Sequence, residues 1–110
     1  MKVYFGEKVL WDKVVIADSF FTRLRGLMWK KNLAEGEGLL IKGCNQVHSF
    51  NMRFPIDVLF LSKQMEVLNI TTMQPGEVGE KTKNAVCVLE VCAGSAKEKK
   101  LESGDFLEIM

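Results

Sequence analysis

A chain of 110 residues with 15 Lys and Arg against 14 Asp and Glu carries a net charge of +1, which gives no electrostatic reason to expect nucleic acid or a membrane surface as a partner. At 47% hydrophobic residues it can bury one core without disulfide or metal support, so one domain over residues 1–110 is expected. No apolar leader follows Met1-Lys2, and the longest apolar stretches are broken by Asp57 or Glu90; the sequence therefore reads as cytoplasmic, with no membrane span.

Residues 2–5 and 9–17 are rich in Val, Ile and aromatics, and Gly6-Glu7-Lys8 between them suits a hairpin turn. Asp18-Ser19 then offers an N-cap for a helix over 20–29. At helical spacing Phe20, Phe21, Leu24, Leu27 and Met28 form one apolar stripe, flanked by Arg23 and Arg25.

After the turn-like Glu35-Gly36-Glu37-Gly38, residues 39–41 open a β-rich middle. Alternation over 46–54 predicts a strand with His48, Phe50, Met52 and Phe54 on its inner face and Ser49, Asn51 and Arg53 on the other. Pro55 interrupts this ladder, and 56–61 is a nearly continuous apolar strand. Strands at 66–73 and 85–92 are separated by a polar loop, 74–84, that contains Pro75, Gly76 and Gly79. Gly94-Ser95 caps a short helix over 96–101, Gly104 suits its C′ position, and 105–109 makes a last strand. Strand-like segments outnumber helical ones, so the fold class is mainly β (α+β).

Three cysteines without an export signal fit a reducing compartment better than a disulfide framework. Cys44 and His48 have a spacing that could supply two zinc ligands, but Cys87 and Cys92, five apart on a strand, point to opposite faces. Neither a metal nor a cofactor is expected, and the cysteines read as small buried hydrophobes.

Five blocks in order carry a family resemblance: Arg23-Leu24-Arg25-Gly26-Leu27-Met28; Gly38-Leu39-Leu40; His48-Ser49-Phe50 with Met52-Arg53-Phe54-Pro55-Ile56-Asp57; Leu89-Glu90-Val91 with Ala93-Gly94; and Gly104-Asp105. Together they resemble the domain of unknown function 192 family over almost the whole chain. The resemblance implies a compact, mainly antiparallel β-sandwich or barrel of jelly-roll type with one or two short helices, and it implies no activity. The chain departs from the pattern at Asn51, where an aromatic residue is usual, and at Ser95, where tryptophan is frequent.

The polar residues within these apolar blocks must be paired or functional. His48 is either a core histidine or a ligand-facing one; Asp57 either satisfies backbone N–H groups at a strand entry or pairs with an arginine; Glu90 is either a pocket carboxylate or sits on the solvent side of a splayed strand. The ion pair to look for joins Arg23 or Arg25 to Asp57 or Glu90. A binding or accessory module would gather Arg23, Arg25, His48, Arg53 and Asp57 around a cleft for a small polar or anionic ligand. A protein-interaction domain would leave His48 structural and work through an exposed apolar patch. A hydrolytic enzyme is disfavoured, because Ser49 alternates away from His48 and Cys44 stands about 13 Å along an extended chain from it.

Overall fold

In the computed structural model, which describes residues 1–19 and 30–110, β1 (Val3–Phe5) folds back on β2 (Lys8–Trp11) through Gly6, whose φ of 63 is a conformation that costs glycine little. The chain continues as β3 (Lys13–Ala17), β4 (Glu37–Lys42), β5 (Ile56–Leu61), β6 (Val67–Met73), β7 (Cys87–Cys92), α1 (Ser95–Glu98) and β8 (Glu108–Ile109). A three-stranded sheet has the order β2-β1-β8, and a five-stranded sheet the order β3-β4-β7-β5-β6. All pairings are antiparallel except β3 with β4. The fold is thus mainly β, built of two sheets, and neither sheet closes into a barrel among the described residues.

One cluster lies between the sheets: Val3, Leu10, Trp11 and Leu107 meet Leu40, Leu59, Leu61, Leu89 and Val91. A second covers the other face of the five-stranded sheet, where Leu39, Ile41, Ile56, Val58, Phe60 and Val88 pack under Leu33, Val47, Met52 and Ala85. Because both faces are covered, every residue of β5 is buried, and this is why 56–61 reads as a continuous apolar run rather than an alternating one.

Three of the expected strands differ, the last of them, expected over 105–109, being only β8 (Glu108–Ile109). Residues 9–17 are not one strand: the chain changes sheets at Asp12. Leu10 and Trp11 are both buried, a break in alternation that accompanies a register shift between Val3 and Tyr4. The Trp11 indole N–H donates to Ser95 Oγ at 3.0 Å, and Lys13 N–H donates to the Gly36 carbonyl at 2.9 Å, where pairing with β4 begins. The expected strand at 46–54 is a bridge and a turn. Only His48 keeps a ladder position, opposite Val78, and Met52 N–H donates to the Ser49 carbonyl at 3.3 Å around Asn51, whose φ is 61. Asparagine tolerates that conformation better than an aromatic residue does, which accounts for Asn51 in this chain.

The end of α1 is also corrected. Leu101 N–H donates to the Ala96 carbonyl and Lys100 N–H to the Lys97 carbonyl, both at 3.0 Å, which is a Schellman closure with Lys100 at C′ and φ 60. Gly104, at φ 99, instead turns the chain towards β8 while its N–H donates to the Val67 carbonyl. The helix expected over 20–29, with Arg23 and Arg25, lies outside the described residues.

Candidate functional site

Ser49 organises the segment that the sequence made most conspicuous. It is fully buried; its hydroxyl donates to the Gln74 carbonyl at 2.5 Å and accepts from Glu77 N–H at 2.8 Å, and its own N–H donates to the Glu77 carbonyl at 2.8 Å. Gly79 N–H donates to the Val47 carbonyl, the Gln46 amide donates to the Gly79 carbonyl, and Thr82 N–H donates to the Asn45 carbonyl. Residues 45–49 and 77–82 therefore run as a narrow antiparallel ribbon held by side-chain as well as backbone bonds.

This ribbon hangs over the β6 edge of the five-stranded sheet and leaves a cleft of about 290 Å³ beneath residues 77–80. Phe60 and Met73, both almost fully buried, lie at its base, Asn69 and Thr71 come from β6, and Glu77 and Glu80 come from the ribbon. Asn69, Thr71 and Met73 share a sheet face because strand side chains alternate. Gly79 packs closely here: a Cβ would sit 3.1 Å from the Val47 carbonyl oxygen and 3.3 Å from Met73 Sδ, so a side chain would need these neighbours to give slightly. These lining residues were missed in the sequence; the signal was the polar alternation of Asn69 and Thr71 along an otherwise apolar strand.

His48 faces outward, which reverses the inner-face expectation: it is exposed, its ring stacks on Phe50 at 4.9 Å, and its Nδ1 accepts from Phe50 N–H at 3.2 Å. The reason is local, since the turn at residues 50–51 breaks the period-two register assumed for an extended strand. Its bridge partner, Val78, lines the cleft, so His48 stands at the cleft's outer rim. Arg53 is exposed. Asp57 is 2% exposed and accepts from Thr72 Oγ1 at 2.7 Å and from Ala96 N–H at 3.1 Å, which ties the start of α1 to the sheet. Among the described residues no hydrogen bond or ion pair joins His48, Arg53 and Asp57.

Glu90 is 3% exposed, and of the two readings left open for it the solvent-side one is excluded. It lies between Leu39 on β4 and Val58 on β5, on the face covered by the second cluster. Burial among apolar side chains pushes its carboxyl up to about 7, and among the described residues nothing donates to it. Burial likewise pushes the Cys87 thiol up. None of the three cysteines is in a disulfide, and among the described residues no group of three or more His, Cys, Asp or Glu is placed to hold a metal. No helix among those residues is long and apolar enough to cross a membrane.

The whole chain has relatives of similar length. A UPF0127 protein of Pyrococcus abyssi is 33% identical over 110 residues, covering 94% of this chain and 92% of that protein. A UPF0127 protein of Pyrococcus horikoshii is 33% identical over 104 residues, covering 91% and 90%. Among solved structures, a Sinorhizobium meliloti protein described provisionally as a transcription regulator superposes with a TM-score of 0.78 at 25% identity, covering 86% of this chain and 79% of that one. The sequence matches the domain of unknown function 192 family, described as "Uncharacterized ACR", over residues 3–109. The match spans both sheets and the ribbon with its cleft, and the chain belongs to that family.

Proposed function

We propose that the protein is a small-molecule-binding or accessory module whose ligand occupies the cleft between β6 and residues 77–80. The observation that carries this reading is the cleft itself: about 290 Å³, near the small end of the roughly 300–1,000 Å³ typical of ligand sites, and lined chiefly by polar groups of β6 and the ribbon. A wall stapled by Ser49 and built on a sheet edge costs little ordering on binding, which favours affinity. His48 at the rim is the residue of the sequence-derived set that this placement retains. Arg53 stays in the reading as an exposed donor beyond the ribbon, and Arg23 and Arg25 as donors outside the described residues. Asp57 supports the site indirectly, since its partner Thr72 lies on β6. Titration of the protein with small polar compounds, read by thermal shift, tests the reading: a saturable rise in Tm that is lost in Thr71→Trp supports it, and a rise unaffected by that substitution places the ligand elsewhere.

A second reading, protein interaction with His48 in a supporting role, draws on one observation. Phe50 is 45% and Val78 62% exposed on either side of His48, an apolar patch on the outer side of the same ribbon. A hydrolytic role finds less support, because the Ser49 hydroxyl is committed to the backbone of residues 74 and 77.

A further inference from the structure

We infer that β6 accepts an extended segment of a partner protein as an added strand, one with basic side chains at alternate positions; this rests on the accessory form of the reading above. Ser62 N–H donates to the Glu66 carbonyl at 3.0 Å, so Ser62 turns its main chain towards β6, and along an antiparallel ladder that direction alternates. Phe60, Val58 and Ile56 therefore bond to their partners Asn69, Thr71 and Met73. The N–H and C=O groups of Ile70 and Thr72 are left pointing away from the sheet, and among the described residues no backbone group meets them there.

Native sheets ordinarily cover or charge such an edge. Elsewhere this sheet does so. Val67 N–H donates to the Asp105 carbonyl and its own carbonyl accepts from Gly104 N–H, both at 2.8 Å, and at the far edge Val14 N–H donates to the Met1 carbonyl. The run Leu68-Asn69-Ile70-Thr71-Thr72-Met73 contains no charge and no proline, and Asn69 and Thr72 are exposed. The cleft lies against this run.

A second copy of this chain and a free extended segment both match the edge in principle, and the ribbon decides between them. Two copies joined antiparallel would set Ile70 of each opposite Thr72 of the other, about a two-fold axis at Thr71. That axis stands perpendicular to the sheet, so both ribbons would crowd one face, with Glu77 and Glu80 of each confronting those of the other. A lone segment brings no ribbon. Its side chains alternate between the two faces, and Lys or Arg on the ribbon side reaches Glu77 and Glu80, which line the cleft. Main-chain bonds supply the affinity, and the carboxylates select the partner.

The test is an amide-resolved NMR titration of the full chain with capped hexapeptides that alternate Lys with Val or Glu with Val, with amide hydrogen exchange measured at each end point. Saturable shifts and slowed exchange at the amides of Ile70 and Thr72 are expected with the Lys peptide. Glu80→Lys is expected to weaken that binding about threefold and to favour the Glu peptide instead. Shifts in the cleft without slowed exchange at Ile70 and Thr72 would overturn strand addition and leave the cleft as a binding site. Slowed exchange there that grows with protein concentration in the absence of peptide would make the occupant a second copy. Equal binding of the two peptides would overturn the basic partner. Silence with both would overturn the inference, while the cleft reading stands or falls on its own thermal-shift screen.

Discussion

The Asp57 carboxylate on β5 accepts the N–H of Ala96, 3.1 Å away in the first turn of α1, and so caps from the sheet a helix whose own N-cap residue, Gly94, has no side chain. Helix N-termini leave unpaired N–H groups that an acidic oxygen satisfies well. The second carboxylate oxygen takes the Thr72 hydroxyl at 2.7 Å, so one buried side chain joins β5, β6 and α1.

Removing that carboxylate should cost more than an ordinary cap. Asp57→Ala leaves the Ala96 N–H and the Thr72 hydroxyl without their acceptor, and a loss of about 2–3 kcal/mol is expected, from about 1 for the cap and 1 or more for the orphaned groups. Asp57→Asn should lose roughly half as much, since its one carbonyl oxygen serves a single donor. Urea denaturation of the two variants measures the difference, and equal losses would contradict the two-donor role.

Ser49 and His48 should behave oppositely to what their alternation in sequence suggests. Ser49→Ala breaks the bonds to residues 74 and 77 and is expected to destabilise by about 2 kcal/mol. His48→Ala removes an exposed ring and should stay within about 1 kcal/mol of the parent. Equilibrium unfolding in urea ranks the pair; a larger loss in His48→Ala would place the histidine in the core after all.

Glu90 makes stability depend on pH near neutrality. Its folded value, about 7, lies above its ordinary 4.5, so between these pH values the folded state holds a proton that the unfolded chain has released. The unfolded state then binds fewer protons, and stability falls as pH rises through this window, by a total of about 3 kcal/mol, before levelling off above it. Below 4.5 both states are protonated and the contribution vanishes. Glu90→Met, apolar and of similar volume, should flatten this slope and be more stable than the parent at pH 8. Denaturation midpoints at pH 4.5, 6 and 8 provide the check, and a parent whose stability is constant across that range would rule the account out.

Lys100 pays for its position at the end of α1. A non-glycine residue at φ 60 carries a conformational penalty that glycine avoids. Lys100→Gly is therefore expected to stabilise the protein by about 0.5–1 kcal/mol, and thermal unfolding should show a higher Tm. A lower Tm would mean that the Lys100 side chain contributes more than its backbone costs.

Local chemistry determined much of this protein from sequence alone. The hairpin at Gly6, the apolar strand at 56–61, the strands ending at Met73 and Cys92, and the mainly β class follow from turn residues and β-branched runs that act over a few positions. The family membership was also legible, because its blocks are short and ordered along the chain. Tertiary structure alone decided the corner at Asp12, the outward turn of His48 and the inward one of Ser49. An alternating pattern specifies two faces but not which face is covered, and a turn of the kind seen at Asn51 resets the register without changing the hydrophobic pattern. The cleft was the least legible feature, since Asn69 and Thr71 on β6 meet Glu77 and Glu80 only when Ser49, some 25 residues earlier than Gln74, staples the ribbon across the sheet edge. Such long-range pairing leaves no periodicity in the chain, and only the folded arrangement brings its partners together.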